Sequence, residues 1–361
     1  MTDLSTIAAS LIVGGFEGTD AVPAPFAALL RKGLAGAILF TRNCESPAQV
    51  AALNAELCRL APERDPIRSV DQEGGRVQRI RDPLTVWPPL RAVGAASDEA
   101  IARRVGQAIG GELAALGFTW DFAPVLDVDS NPDNPIIGDR SLSRDPEVVS
   151  HLGIALAEGL HESGVGSCAK HFPGHGDTLL DSHEDLPRLT HERSLLHDRE
   201  LVPFAAAARA ALPAIMTAHV VFEALDPERP ATVSRAALTG LLRGELGFQG
   251  LVVSDDTEMK AVADRYEIES IVTEGLLAGV DLFLICHHAE KMERAIAALT
   301  REAEQSQAFT TRLEEASQRV AAFRARFARP GFEPDAARIA AVCGSGAHQE
   351  LARRLAGASQ A

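Results

Sequence analysis

Long apolar runs are missing from this 361-residue chain. No stretch approaches the roughly 18 uncharged apolar residues that a transmembrane helix requires. The first residues, MTDLSTIAASLIVGG, also lack the basic region, long apolar core and small-residue cleavage site of a secretory signal. We therefore expect a cytoplasmic protein without a membrane-spanning segment.

Basic residues are in deficit. The chain has 35 Lys and Arg residues against 50 Asp and Glu residues, which gives a formal net charge of -15 at pH 7. Phosphate contacts need clustered Lys and Arg, and no basic stripe offsets the acidic excess. The sequence therefore argues against nucleic acid as a partner, and the acidic surface is interpreted as a solubility feature.

Paired cysteines are absent as well. The five cysteines are odd in number, widely spaced and free of any CxxC pair, which is typical of reduced thiols in a cytoplasmic protein. They are Cys44, Cys58, Cys168, Cys286 and Cys343.

Nucleotide-binding motifs are the last absence. No GxxxxGK[ST] segment occurs, and the nearest glycine cluster, GGFEG at 14–18, has the wrong spacing for a dinucleotide fingerprint and no acidic partner about twenty residues later. A doubly wound sheet that binds a nucleotide is therefore disfavoured, and we expect no organic cofactor.

Short β-branched apolar runs instead alternate with stretches of helical periodicity. They predict strands at 11–13, 36–40, 67–70, 118–123, 165–169, 214–217, 251–254 and 281–285, and helices at 46–60, 98–116, 146–163, 199–211, 234–246 and 267–278. This alternation is typical of an α/β chain that forms a (β/α)8 barrel of the TIM type, whose N-terminal end can be irregular. We expect one catalytic barrel domain over 1–330. Residues 331–361 are expected to form a helical tail, as one more helix with loose ends.

Ionisable residues lie at the ends of most predicted strands, namely Asp71, Asp121, Lys170, His171, His219, Asp255, Asp256, His287 and His288. In a barrel these ends converge on the face that carries the active site. Asp127 and Asp129 are interpreted as caps of local turns, and His219 as a hydrogen-bonded residue of the barrel wall.

The segment KHFPGHGDTLLDSHEDLP at 170–187 carries three histidines. His171 and His175 have the spacing of a helical zinc site, but Pro173 and the neighbouring glycines disfavour a helix, and the glutamate of an HExxH motif is missing. A zinc or iron site on a loop, with His171, His183 and an aspartate as ligands, remains an alternative.

Proton transfer is the second interpretation of this segment. Asp181 precedes His183 by two residues, so the carboxylate can orient the ring and favour its protonated form. Asp255 ends an apolar strand, which suits a carboxylate that attacks or stabilises a cationic centre. An acid opposite a carboxylate fits glycosyl transfer, and it also fits proton abstraction.

Several segments resemble the motifs of family 3 glycoside hydrolases, in particular the branch of single-domain bacterial β-N-acetylglucosaminidases. They are FTRN (40–43), DQEGGRVQR (71–79), FAPVLDV (122–128), GDRS (138–141), KHFPGHG (170–176), DSH (181–183), MTAHV (216–220) and VSDD (253–256). KHFPGHG followed by DSH is specific to that branch. The resemblance covers residues 35–290 and implies the barrel fold.

The resemblance also implies individual roles. Asp255 matches the nucleophile, whereas Asp256 does not. His183 matches a histidine acid/base on a mobile loop, with Asp181 as its partner, and we expect residues 174–185 to be mobile. The implied substrate contacts are Asp71, Arg79, Arg140, Lys170 and His171.

The implied activity is that of a retaining exo-β-N-acetylglucosaminidase that removes terminal N-acetylglucosamine from peptidoglycan-derived muropeptides. We expect a monomer that acts on a small carbohydrate and uses neither metal nor cofactor. A phosphorylase and a β-glucosidase or xylosidase are alternatives on the same fold. A metal-dependent hydrolase and a non-catalytic sugar sensor are alternatives from other classes.

Overall fold

The computed structural model describes residues 3–178 and 186–358. Eight parallel strands form the central sheet. In chain order they are β1 (Ile12–Gly14), β2 (Gly36–Leu39), β3 (Ile67–Val70), β4 (Trp120–Asp121), β5 (Ala169–Phe172), β6 (Ala214–Thr217), β7 (Leu251–Asp256) and β8 (Leu282–Ile285). Their spatial order is β4-β3-β2-β1-β8-β7-β6-β5, so each strand lies beside its neighbours in the chain.

The two outer strands of that order, β4 and β5, also meet. Parallel bridges join Trp120 to Gly166 and Val125 to Lys170, and the Leu126 N–H donates to the Lys170 carbonyl at 2.7 Å. Contact between the outermost strands turns the sheet into a barrel. The predicted α/β (β/α)8 fold is therefore confirmed. The barrel is irregular where β4 meets β5, because isolated bridges join these two strands. The N-terminal strand β1 pairs regularly with both β2 and β8.

Helices cover the outside of the barrel. Those that the periodicity predicted lie at Pro47–Leu60, Glu99–Ala115, Pro146–Glu162, Leu201–Arg209, Ala236–Glu245 and Ile268–Ala278. Further helices that the sequence did not predict are Leu4–Ala9, Ala24–Lys32, Leu90–Ala96, Lys260–Ala263 and Ala289–Gln305. Two small ladders lie above the barrel, an antiparallel one of Gln72–Gly74 with Val77–Gln78 and a parallel one of Arg188–Leu189 with Val221–Phe222.

The start of β5 differs from the prediction. The apolar run 165–169 predicts a strand that Lys170 and His171 terminate, but the strand is Ala169–Phe172 and contains both residues. Both side chains are nevertheless buried. Lys170 and His171 are therefore held by the sheet itself.

The C-terminal part packs against the barrel. Helix Gln307–Phe327 is tied to the start of β8, because the buried carboxylate of Asp281 accepts hydrogen bonds from Arg312 at 2.8 Å and Arg319 at 3.2 Å. The tail contains two helices, Ala336–Val342 and Gly346–Ala358, where the sequence predicted one. The division into 1–330 and 331–361 stays a prediction.

The sequence predicted neither a membrane-spanning segment nor paired cysteines. The helices in the described part of the chain include none that is long and apolar enough to cross a membrane. All five cysteines are free thiols, as the sequence predicted.

Candidate active site

A cavity of about 350 Å³ opens at the carboxyl ends of the strands. Asp255 lines it, and so do the five side chains predicted to contact substrate, namely Asp71, Arg79, Arg140, Lys170 and His171. The structure thus brings together residues that lie up to 184 positions apart, from Asp71 to Asp255. Asp181 and His183 lie outside the described residues, as does most of the segment 174–185 that was expected to be mobile.

A buried charge network forms one wall of this cavity. Lys170 Nζ lies 2.7 Å from Asp71 Oδ1 and 2.6 Å from Glu73 Oε1. Glu73 also accepts two hydrogen bonds from the Arg140 guanidinium, at 2.8 and 2.9 Å. Arg79 reaches the other oxygen of Asp71 at 3.3 Å. Two carboxylates and three cations are therefore held in fixed positions on one side of the cavity.

Glu73 is the member of this network that the sequence analysis missed. Its side chain is only 1% exposed. It lies two residues after Asp71 at the start of an antiparallel ladder, and alternate residues of an extended segment face the same side, which is the signal that would have identified it. The turn that follows requires Gly74, whose φ is +98° and where a Cβ would lie 2.7 Å from the Pro88 carbonyl oxygen.

The network is ionised because its charges are paired. Burial alone would raise the pKa of Glu73, but Arg140 and Lys170 outweigh it and hold the pKa well below its usual range. Burial would likewise lower the pKa of Lys170, and the two carboxylates reverse that effect and raise it. A hydroxyl group that enters the cavity thus meets a fixed carboxylate acceptor and fixed cationic donors.

Asp127 holds the histidine at the end of β5. Its carboxylate lies 2.7 Å from His171 Nδ1 and also accepts hydrogen bonds from the backbone N–H groups of His171 and His175. The interpretation of Asp127 as a local turn cap is wrong, because its partners lie more than 40 positions away and its side chain is fully buried. Burial alone would raise the pKa of Asp127, but His171 outweighs it and lowers the pKa, so the ionised carboxylate accepts the hydrogen bond from Nδ1. Nε2 of His171 is then the nitrogen left for substrate.

Asp129 belongs to a different set of contacts. Its carboxylate accepts hydrogen bonds from Arg91 at 2.8 Å and Arg144 at 3.1 Å.

His219 is the hydrogen-bonded residue of the barrel wall that the sequence predicted. It is buried, with Nδ1 at 2.8 Å from Thr232 Oγ1 and Nε2 at 3.0 Å from the carbonyl oxygen of Asp256.

The two adjacent aspartates at the end of β7 have different environments. Asp256 is occupied by protein groups, since Oδ1 accepts hydrogen bonds from the backbone N–H groups of Glu258 and Cys286, and Oδ2 lies 3.4 Å from His287 Nε2. Both aspartates line the cavity, but Asp255 contacts fewer protein groups: its Oδ1 accepts the N–H of Asp256 at 2.8 Å. Asp255 is therefore the aspartate of this pair that is placed to meet a substrate.

The described residues contain no cluster of three or more His, Cys, Asp or Glu side chains with the arrangement of a metal site. The alternative with His171, His183 and an aspartate involves a residue outside those ranges. Asp127 already occupies Nδ1 of His171.

A sequence model described as the glycosyl hydrolase family 3 N terminal domain matches residues 21–323. The chain belongs to glycosyl hydrolase family 3. The matched range contains barrel strands β2 to β8 and every residue that lines the cavity. The resemblance inferred from the motifs is thereby confirmed, and so is the expectation of a glycoside hydrolase.

Individual family 3 proteins are similar to this one over long stretches. The beta-hexosaminidase A of Pseudoalteromonas piscicida is 41% identical over 275 residues, or 71% of this chain, although the chain spans only 46% of that protein. The structure of a family 3 beta-N-acetylglucosaminidase from Paenibacillus sp. str. FPU-7 matches with a TM-score of 0.92 and 37% identity, and it covers 99% of this chain and 69% of that one.

A second solved structure is of similar size to this family 3 chain. NagZ from Neisseria gonorrhoeae, in complex with N-trifluoroacetyl-D-glucosamine, matches with a TM-score of 0.77 and 30% identity over 96% of this chain and 97% of that one. The fold of the whole described chain is therefore shared with family members.

His175 leads to a prediction about pH. Burial, and next the neighbouring charge of His171, lower the pKa of His175 from 6.5 to about 4. Between pH 6.5 and about 4 the imidazole of His175 therefore binds a proton in the unfolded chain but not in the folded protein. As the pH falls through this range, His175 lowers the free energy of unfolding. Its contribution to the slope of unfolding free energy is at most about 1.4 kcal/mol per pH unit. Urea denaturation of His175→Asn between pH 7 and 4.5 is expected to show a shallower slope than the parent.

His151 provides the control for that measurement. It lies on an exposed helix surface, 3.9 Å from Glu147, with 62% of its side chain accessible. His151→Asn is expected to keep the parental slope. An unchanged slope in the His175 variant would contradict the prediction.

Proposed function

We propose that this family 3 protein is a retaining exo-β-N-acetylglucosaminidase that removes terminal N-acetylglucosamine from peptidoglycan-derived muropeptides. The observation that carries the proposal is the placement of Asp255, whose carboxylate lines a cavity that also presents a fixed wall of charged hydrogen-bonding groups. The hexosaminidase and N-acetylglucosaminidase names of similar family members support the choice of sugar.

The proposed reaction has two steps. Asp255 attacks the anomeric carbon and the glycosidic carbon–oxygen bond breaks, while protonated His183 gives its proton to the leaving oxygen. A water then attacks the same carbon, His183 takes a proton from it, and the bond to Asp255 breaks. Asp181 favours the protonated form of His183 before the first step.

The charge network performs the binding. Asp71 is proposed to accept hydrogen bonds from sugar hydroxyls, while Lys170 and Arg140 donate to them. The Nδ1 contact of His171 with Asp127 orients the ring so that Nε2 faces the sugar. Because these groups are paired before substrate arrives, little reorganisation is needed when it binds. We further propose that the protein acts in the cytoplasm as a monomer.

Product analysis tests this function. Hydrolysis of a p-nitrophenyl β-N-acetylglucosaminide, followed by proton NMR, is expected to show the β-anomer of N-acetylglucosamine first, as double displacement requires. The corresponding glucoside and xyloside are expected to be poor substrates. An α-anomer as the first product would contradict the retaining mechanism, and preference for the glucoside would contradict the sugar assignment.

The same assay separates hydrolysis from phosphorolysis. A histidine acid/base tolerates an anionic attacker better than a carboxylate does, so phosphate is a credible alternative nucleophile in the second step. We expect free sugar in phosphate buffer as well as in a phosphate-free buffer. Accumulation of sugar 1-phosphate in phosphate buffer would show that the protein is a phosphorylase.

A further inference from the structure

A second polar cluster lies next to the cavity and has no part in the chemistry described above. It surrounds Asp177, which follows the glycine-rich end of the KHFPGHG motif. Asp177 Oδ2 lies 2.6 Å from His191 Nε2 and also accepts a hydrogen bond from Arg199. The Nε of Arg199 donates to Glu200 Oε1 at 2.6 Å. We refer to Asp177, His191, Arg199 and Glu200 as the Asp177 clamp.

The clamp is more protected from water than an ordinary surface ion pair. The side chains of Asp177 and Arg199 are 17% and 23% exposed, and that of Glu200 is fully buried. Pairs of this kind are less screened than exposed ones, whose contribution is small. The Asp177 clamp therefore joins the end of the motif firmly to the helical segment that contains Arg199.

Gly174 packs against Glu200, the buried member of the Asp177 clamp. Its φ is +141°, and a Cβ there would lie 3.0 Å from the Cβ and 3.1 Å from Oε2 of Glu200. A residue with a side chain could therefore not occupy this position without moving Glu200. The backbone of the motif packs directly on the clamp.

The clamp lies at one end of the segment that carries the predicted acid. Thr178, the last described residue before that segment, bonds to His175 through its hydroxyl at 2.8 Å and to Asn134 at 3.2 Å. On the other side Leu186 is buried and the Pro187 carbonyl accepts the Val221 N–H at 2.9 Å. Both flanks of residues 179–185 are thus fixed to the barrel.

We propose that Asp177, held by Arg199 and His191, is a positioning residue that sets where the segment with His183 leaves the barrel. This inference rests on the proposed role of His183 as the acid. Asp177 precedes His183 by only six positions, so a shift of the backbone at Asp177 moves the point from which the chain continues toward His183. Asp177 would then act on the reaction only through the acid.

Leaving-group dependence tests the proposal. The first irreversible step, reported by kcat/KM, needs an acid for a poor leaving group such as a sugar, but not for 2,4-dinitrophenolate. Displacement of a catalytic group by about 1 Å can cost on the order of 10²-fold. Asp177→Asn is expected to lower kcat/KM for the disaccharide of two β-linked N-acetylglucosamines by about that factor and to leave the dinitrophenyl glycoside near the parental value.

Three further variants make the outcome decisive. Arg199→Gln breaks the same pair from the other side and is expected to reproduce the selective loss. Glu223→Gln breaks an exposed pair with Arg188 beyond the far end of the segment and is expected to leave both substrates unaffected. In the double variant with His183→Ala, Asp177→Asn is expected to cost nothing further, because it acts through His183.

The contrary results point to different failures. An equal loss on both substrates, or none on either, in folded Asp177→Asn and Arg199→Gln would overturn the positioning role. If His183→Ala alone shows no dependence on the leaving group, the proposed acid is wrong. Thermal unfolding of each variant separates these cases from loss of the fold.

Discussion

Replacing Asp255 by alanine is expected to lower the turnover of an aryl β-N-acetylglucosaminide by on the order of 10⁴- to 10⁶-fold, the range seen when a catalytic nucleophile is removed. The reason is that no other described carboxylate is placed to replace it. The other carboxylates that line the cavity have partners. Asp256 accepts the backbone N–H groups of Glu258 and Cys286, Asp71 and Glu73 are paired with Lys170, and Glu258 is paired with Lys291. Initial rates at saturating substrate measure the effect.

Azide distinguishes loss of the nucleophile from loss of the fold. In Asp255→Ala, azide can enter the space of the missing carboxylate and displace an activated phenolate, which forms the α-glycosyl azide. We expect partial recovery of phenolate release and that product by NMR. Activity of Asp255→Ala within tenfold of the parent would remove the basis of the proposed mechanism.

Asp256→Asn is the matched control. It changes the neighbouring residue by one atom, and the amide oxygen can still accept the backbone hydrogen bonds that Asp256 receives. We expect this variant to retain far more activity than Asp255→Asn. The reverse order would show that the two aspartates were assigned the wrong way round.

Glu73→Ala is expected to have the largest effect on stability of the changes considered. It leaves Arg140 without its bidentate partner and Lys170 with only Asp71. Removal of one partner from a buried ion pair costs about 3 to 5 kcal/mol, because the remaining charge stays buried. We expect a loss of that size in urea denaturation at pH 7, together with a raised KM, because Lys170 and Arg140 are proposed sugar contacts.

The pH dependence of this loss follows from the pKa of Glu73. Its neighbours lower the pKa from the ordinary 4.5, so its stabilising effect is complete above that value and declines as the pH falls below it. The difference in stability between the parent and Glu73→Gln is therefore expected to shrink below pH 4.5. A difference that stays constant down to pH 3 would contradict this account.

Exposed ion pairs provide the comparison for Glu73. Glu162 bonds to Arg103 at 2.7 Å, but its side chain is 44% exposed. Because solvent screens such pairs, Glu162→Ala is expected to change stability far less than Glu73→Ala does. A loss as large as that of Glu73→Ala would show that burial is not what makes the network important.

Periodicity alone predicted the barrel, because its strands are short apolar runs and its helices have one apolar face, and both patterns are local. The motifs likewise identified Asp71, Lys170, His171 and Asp255 as cavity residues. Their predicted roles await the experiments above. The roles of Asp181 and His183 also stay predictions.

The tertiary structure decided what depends on neighbours from distant parts of the chain. Asp127 lies within a turn-like sequence, yet it holds His171 across 44 positions. Glu73 and Arg140 become a pair only when the ladder after β3 meets the short helical turn Gly138–Arg140. The sequence by itself determined the barrel and placed Asp255 and the five predicted substrate contacts at its active face, since hydrophobic period and motif are properties of the chain. Only the fold decided which charges are paired, because pairing depends on distances in space that no spacing along the chain contains.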